Sequence, residues 1–298
     1  MLSSDRSYRT ISITLLADGV LFALITMVSF ISRSESVFSE GLYQLSDLAS
    51  GGLLVYAIWS SLRPADELHP FGYGMDRFFW SFVSGVFVFS VNGAVSILIG
   101  VFDAFNGHPV RNFEWSVLVL MLTVGASSAS FAYILARNRK DRKARPDALR
   151  QYHQGIRTLM LQDMMSIVSS GVALVALGLV FYTKVQFYDA AGAIVNGVLL
   201  LVTGLVLSSE SRGLLLGRGL NRSQMTRISS ALQSLPNVNK VRELKTIYLG
   251  PESLLVVVRV NFRDGLTTDE LEQTIDMMQS ELGRRMPELK HVIVEPES

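Results

Sequence analysis

Six runs of about 20 or more mostly apolar residues, at 11–31, 37–62, 78–102, 115–136, 159–182 and 187–208, constrain this chain more than any other feature. A bilayer core offers no water to the backbone, so each lone apolar run of that length has one stable form, the α-helix. The expectation is an α-helical membrane protein with six transmembrane helices. The first run exceeds a signal-peptide core, carries Asp18 and is followed by no small-residue cleavage site, so it reads as a membrane helix too. A formal net charge of +1 argues against a nucleic-acid partner. With no cysteine, disulfides and thiolate metal sites are excluded.

Basic residues set the orientation. The segment 137–157 holds Arg137, Arg139, Lys140, Arg142, Lys143, Arg145, Arg150 and Arg157, whereas the loops on the opposite side carry Arg33, Arg111 and Lys184. Positive loops stay inside. The loop between the fourth and fifth helices is therefore expected to be cytoplasmic, and with six spans the N-terminus and C-terminus are cytoplasmic as well.

From residue 220 onward the apolar runs give way to short periodic segments. Met225, Ile228, Leu232 and Leu235 have helical spacing; 238–249 reads as a strand ending at Gly250-Pro251, and 254–262 as a second, nearly continuous strand. Thr267 with Glu270 forms a capping box for a helix striped by Leu271, Ile275, Met278 and Leu282. Pro287 should stop that helix, and 291–295 can form a last strand. The order α-β-β-α-β predicts a small α+β domain with helices on one sheet face. Residues 1–212 are then the transmembrane domain and 213–298 a cytoplasmic domain. At about 80 residues such a domain is marginal alone, so a homodimer is expected.

Polar residues inside the apolar runs are costly, and their default reading is functional. The second run aligns Ser36, Glu40, Tyr43, Asp47 and Ser50 on one stripe, and the fifth aligns Asp163 with Ser166 and Ser170, with Gln162 beside them. Facing each other, Asp47 and Asp163 would offer two hard oxygen ligands and Tyr43 a hydroxyl, a set suited to a divalent cation. Glu40 and Gln162 form a second tier, for a further metal contact or a gate. Asp18 and Asn92 read equally well as helix–helix glue. Asp189, at the start of the sixth helix, reads as its N-cap or dipole partner. In the loop 64–74, Asp66 and His69 could bind a metal at the cytoplasmic mouth, although a histidine in a turn more often bonds locally. No catalytic constellation is present, so an enzyme is not expected.

The loop Pro64-Ala65-Asp66-Glu67-Leu68-His69-Pro70-Phe71-Gly72 resembles one found after the second helix in the cation diffusion facilitator family. Glu40-Gly41-Leu42-Tyr43-Gln44-Leu45-Ser46-Asp47 is similar to that family's second-helix pattern. Met160-Leu161-Gln162-Asp163, Tyr188-Asp189 and the exit Glu210-Ser211-Arg212-Gly213-Leu214-Leu215-Leu216-Gly217 resemble its zinc transporter 9-like branch. The resemblance implies six helices followed by a ferredoxin-like cytoplasmic domain, a homodimer, and ion ligands at Tyr43, Asp47, Leu159 and Asp163. Two of those positions depart from the family's His or Asp. Tyr73 stands where the loop has a second histidine, and His291 has no companion. Fewer nitrogen ligands favour Mn²⁺ or Fe²⁺ over a nitrogen-rich zinc site, with Zn²⁺ still in range. The reading is a divalent metal efflux transporter working by proton antiport, with no cofactor beyond the transported ion. The rival is a non-transporting membrane protein with a degenerate site and a regulatory or scaffolding cytoplasmic domain.

Overall fold

The computed structural model describes residues 2–107, 109–144, 152–251, 253–286 and 289–297, with the side chains of 2–14, 17, 137–144 and 152–159 outside the description. The basic segment 137–157, Leu159 and Pro287 thus lie outside the described side chains. The apolar runs become six long helices: α1 (Leu2–Ser32), α2 (Glu35–Ser61), α3 (Asp76–Asn106), α4 (Phe113–Ala144), α5 (Tyr152–Thr183) and α6 (Phe187–Leu215). Among the described residues, α3 to α6 are each long and apolar enough to cross a membrane, and α1 contributes the shorter apolar stretch Asp18–Ser32. The polar stripe of α2 dilutes its apolarity, which is why that helix falls outside the set.

One compact unit comprises residues 1–57, 80–144 and 152–210. Within it α4 and α5 pack along one another, and α1 lies on α4. Ile25, Val37, Val119, Leu120, Ala173 and Leu177 form one apolar cluster, and Tyr43, Phe89, Leu200 and Leu207 another. Between α3 and α6 glycines set the spacing. A Cβ on Gly93 would lie 2.8 Å from the Gly197 carbonyl oxygen, and one on Gly85 the same distance from that of Gly204. Close backbone approach through small residues is how membrane helices gain packing contacts. Residues Ser84–Phe89 of α3 form a π-helical turn, and from its start the Ser84 hydroxyl reaches Ser50 of α2 at 2.8 Å.

A second unit comprises 58–79 and the described residues of 211–298. It contains α7 (Arg222–Gln233), β1 (Val238–Gly250), β2 (Ser253–Phe262), α8 (Thr268–Arg285) and β3 (Leu289–Glu297). The α-β-β-α-β order matches the sequence expectation. The sheet order is β1-β2-β3, with β1 antiparallel and β3 parallel to β2. Thr267 caps α8 with Glu270 bonding back in the reciprocal box read from sequence, and Asn221 with Gln224 does the same for α7. Leu254, Val256, Val258 and Val260 alternate onto the buried face of β2, against Met278 and Leu282 of α8.

Candidate metal site

The stripe on α2 meets α5. Tyr43 is fully buried, its ring edge-on to Phe89 with centroids 6.2 Å apart, and its hydroxyl donates to the Gln162 carbonyl oxygen at 3.3 Å. From the same residue, Gln162 Nε2 donates to Asp47 Oδ1 at 3.3 Å. Tyr43, Asp47 and Gln162 are therefore brought together, with the amide of Gln162 tying the two helices. One turn on, Gln44 donates to Ser166 of α5 at 3.3 Å, and Ser166 lies 2.9 Å from Ser127 of α4.

Asp163 is half-buried, as is Asp47. Its carboxylate accepts from Ser130 of α4 at 2.8 Å. Asp47 lies within electrostatic range of Asp163, Glu40 and Asp18. Four carboxylates on α1, α2 and α5 thus share one electrostatic neighbourhood, although among the described residues no three His, Cys, Asp or Glu side chains close into a metal-holding group. The sequence reads Asp18 equally well as a ligand or as helix glue. Its signal was the same as that of Asp47, an acid inside an apolar run, but without neighbouring polar residues to mark a stripe. The Asn92 amide is glue: its Nδ2 donates to Ser46 of α2 at 2.8 Å.

Glu40 sits two turns from Asp47 and faces α5 at a different level. It is fully buried, with Ser169 and Ser170 donating to its two oxygens at 2.5 and 2.8 Å. Spacing places Ser170 on the α5 stripe with Asp163 but does not mark Ser169 or pair either serine with Glu40. Asp189 also differs from expectation. Its carboxylate caps α2 rather than its own helix, accepting from the Glu35 and Ser36 N–H groups at 2.6 and 3.3 Å, from Ser34 Oγ at 2.8 Å and from the Ser36 hydroxyl. The first amides of a helix lack internal partners, and an acid from another helix can satisfy them as well as a local one.

The loop between α2 and α3 is separately organised. Asp66 Oδ1 accepts from the His69 N–H at 2.7 Å and lies 3.2 Å from its Nδ1, while Tyr73 donates to Asp66 Oδ2 at 2.6 Å. Asp66 and His69 are thus together as expected, with both carboxylate oxygens occupied by protein donors. The Tyr73 hydroxyl is the first cause holding the Asp66 carboxyl below its usual range, and the same bond raises the Tyr73 phenol. Arg63 lies 4.0 Å above the Tyr73 ring and bonds Asp76 at 3.2 Å. At the far end of the loop Phe71 meets His291 edge-on at 5.3 Å, and a Cβ on Gly74 would lie 2.5 Å from the Leu249 carbonyl oxygen.

Known proteins are similar in sequence to this one over most of the chain. Metal tolerance protein C4 of Arabidopsis thaliana is 26% identical over 266 residues, covering 88% of this chain and 58% of that protein. The human proton-coupled zinc antiporter SLC30A9, mitochondrial, is 24% identical over 304 residues, covering 88% of this chain and 54% of its own. The chain spans little more than half the length of these two relatives. The cation-efflux pump FieF of Citrobacter koseri is 23% identical over 283 residues, covering 94% of this chain and 90% of that protein. A family model, the cation efflux transmembrane domain, matches residues 11–216. With α1 to α6 and the loop after α2 inside or beside that match, the chain is an integral multi-pass membrane protein and belongs to the cation diffusion facilitator family of metal transporters.

Proposed function

We propose that the protein exports a divalent metal ion from the cytoplasm in exchange for protons, as a homodimer whose six helices span the membrane with both termini inside. The domain division at 212/213 belongs to the same reading. The observation that carries it is the meeting of Asp47, Tyr43 and Gln162 across α2 and α5, with Asp163 and Asp18 in electrostatic range of Asp47. Asp47 and Asp163 are the primary ligands in this reading, and Tyr43 supplies a third oxygen. The described donors are all oxygen, which suits Mn²⁺ or Fe²⁺ and admits Zn²⁺ with water completing its shell. Metal and protons compete for the same carboxylates, so a proton gradient directed inward drives release on the far side. Exposure to one side and then the other needs a two-state shift of α2 against α5.

The full chain in proteoliposomes should move at least one of Mn²⁺, Fe²⁺ and Zn²⁺, with apparent affinity falling as pH drops. Asp47→Ala and Asp163→Ala should each abolish that flux while the protein stays folded. Full flux in both variants would remove the site from α2 and α5. That no three His, Cys, Asp or Glu side chains among the described residues close into a metal-holding group supports the rival, a regulatory membrane protein with a degenerate site, and binding of no divalent ion would favour it.

A further inference from the structure

Two of the buried carboxylates toward the N-terminal end of α2, Asp189 and Glu40, are held by different kinds of partner. Asp189 accepts from two backbone N–H groups, those of Glu35 and Ser36. A backbone N–H can only donate, so this site is complete only for an acceptor. Glu40 has no backbone donor among its partners. Ser169 and Ser170 serve its two oxygens, and the Gln44 amide adds a third contact. A serine hydroxyl both donates and accepts and turns to suit, so the same two serines satisfy a carboxylate or a carboxylic acid. Next along α2, fully buried Ser39 accepts from Asn196 Nδ2 of α6 at 3.2 Å, and Asn196 Oδ1 is buried with no hydrogen-bond partner. That orphan oxygen is a further acceptor beside the layer.

Among the described residues, none of the partners of Glu40 is cationic, so none of them fixes it as an ion. Among the described residues, the titratable groups in electrostatic range of Glu40 are Tyr43 and Asp47 on its own helix; Asp18 on α1 and Asp163 on α5 lie in range of Asp47, and Asp189 on α6 is bonded one turn away at Ser36. Among the described residues, α3 and α4 bond to the polar faces of α2 and α5 through Ser84, Asn92, Ser127 and Ser130, none of which titrates, and the buried acid of α3, Asp103, lines a cavity with Glu35 at the first turn of α2.

We propose that Glu40, with Ser169 and Ser170, is a proton-carrying site distinct from the metal-binding carboxylates. This rests on the antiport reading above. In each cycle the Glu40 carboxylate takes up one proton from the non-cytoplasmic side, becoming a carboxylic acid held by the two serines, and gives the same proton up on the cytoplasmic side. No bond to the metal is made or broken at Glu40.

The test uses the full chain in proteoliposomes with Zn²⁺ as probe and an imposed pH difference. In the wild type the Zn²⁺ gradient sustained at steady state should grow with the pH difference. Glu40→Gln, which keeps the shape and stays neutral, should bind Zn²⁺ as before but sustain a gradient lower by about tenfold per pH unit, the share of one exchanged proton. The infrared band of a protonated carboxyl that titrates in the wild type should lose one component. The pair Ser169→Ala, Ser170→Ala retains the carboxyl and should shift the pH midpoint of transport without altering Zn²⁺ affinity, a change that a merely structural Glu40 would not produce. An unchanged gradient in Glu40→Gln, or an unmoved midpoint in the serine pair, overturns the Glu40 site and leaves antiport standing. Loss of Zn²⁺ binding in Glu40→Gln with normal folding makes Glu40 a metal ligand and also overturns it. A wild-type gradient indifferent to pH overturns antiport itself and the proton site with it.

Discussion

In the C-terminal unit, β2 buries Leu254, Val256, Val258 and Val260 against Met278 and Leu282, whereas α2 in the helical unit buries Ser36, Ser39, Glu40, Gln44 and Ser46 among its neighbours. The surroundings explain the inversion. Water drives the apolar residues of a soluble unit inward, so its core is dry and its stability comes from burial. A bilayer exerts no such drive between helices, and the helical unit is held by close backbone approach and interhelical hydrogen bonds. Its polar interior is its adhesive and, in the proposed reading, its ion site. The dry unit tolerates no lost volume, and the polar unit tolerates no lost partner.

Substitutions can break this contrast, and the largest effect belongs to the dry core. Leu282→Ala should cost about 2–5 kcal/mol, through lost burial and a cavity. Hydrogen exchange on the full chain should then accelerate in β2 and β3 and leave α2 and α5 unchanged; equal acceleration in both units would mean that they share one core. Next comes the glycine seam. Gly197→Val pushes a side chain into the Gly93 backbone, and overpacking of that kind costs about 1–3 kcal/mol. A lower midpoint of thermal inactivation for Zn²⁺ flux would register it, and an unchanged midpoint would show that α3 and α6 yield easily.

A smaller effect is expected at the cap from α6. Asp189→Ala should cost about 0.5–2 kcal/mol, as loss of a helix cap does. Its signature is faster amide exchange confined to the first turn of α2, and exchange unchanged at Glu35 and Ser36 would deny the capping role. The smallest effect lies in the loop, where stability hardly enters. Asp66 has its folded value lowered, so any stability it adds is present above the ordinary carboxylate value near about 3.9 and is lost as pH falls through the lowered one. Tyr73→Phe removes the first cause of that lowering. Carboxyl ¹³C shifts should show Asp66 titrating at higher pH in the variant, and an unmoved midpoint would mean that the His69 contacts alone set it.

What the sequence revealed follows from the range of each interaction. The helices were legible because apolar length is a local property, and the Thr267–Glu270 box because its partners stand three residues apart. The stripe on α2 was legible by period, and so were Asp47 and Asp163 as candidates. The α6 cap was not, since Asp189 and Glu35 are separated by 154 positions and any acid at a helix start looks like a cap for that helix. Ser170 was legible on the α5 stripe, but its pairing with Glu40 across 130 positions was not, and Ser169, 129 positions away, fell outside the stripe. The π-helical turn of α3 left no mark either, because Ser84–Phe89 reads as ordinary apolar helix.

The attachment of Asp189 to the first turn of α2 gives that helix a fulcrum. From Glu35 to Asp47 the helix runs about 18 Å, so pivoting it by about 5° at the anchored end swings Asp47 through about 1.5 Å. A displacement of that size would open the 3.3 Å bond from Gln162 to Asp47 while leaving the pivot intact. A lever this long needs little rotation at its anchored end to part α2 from α5 at Asp47.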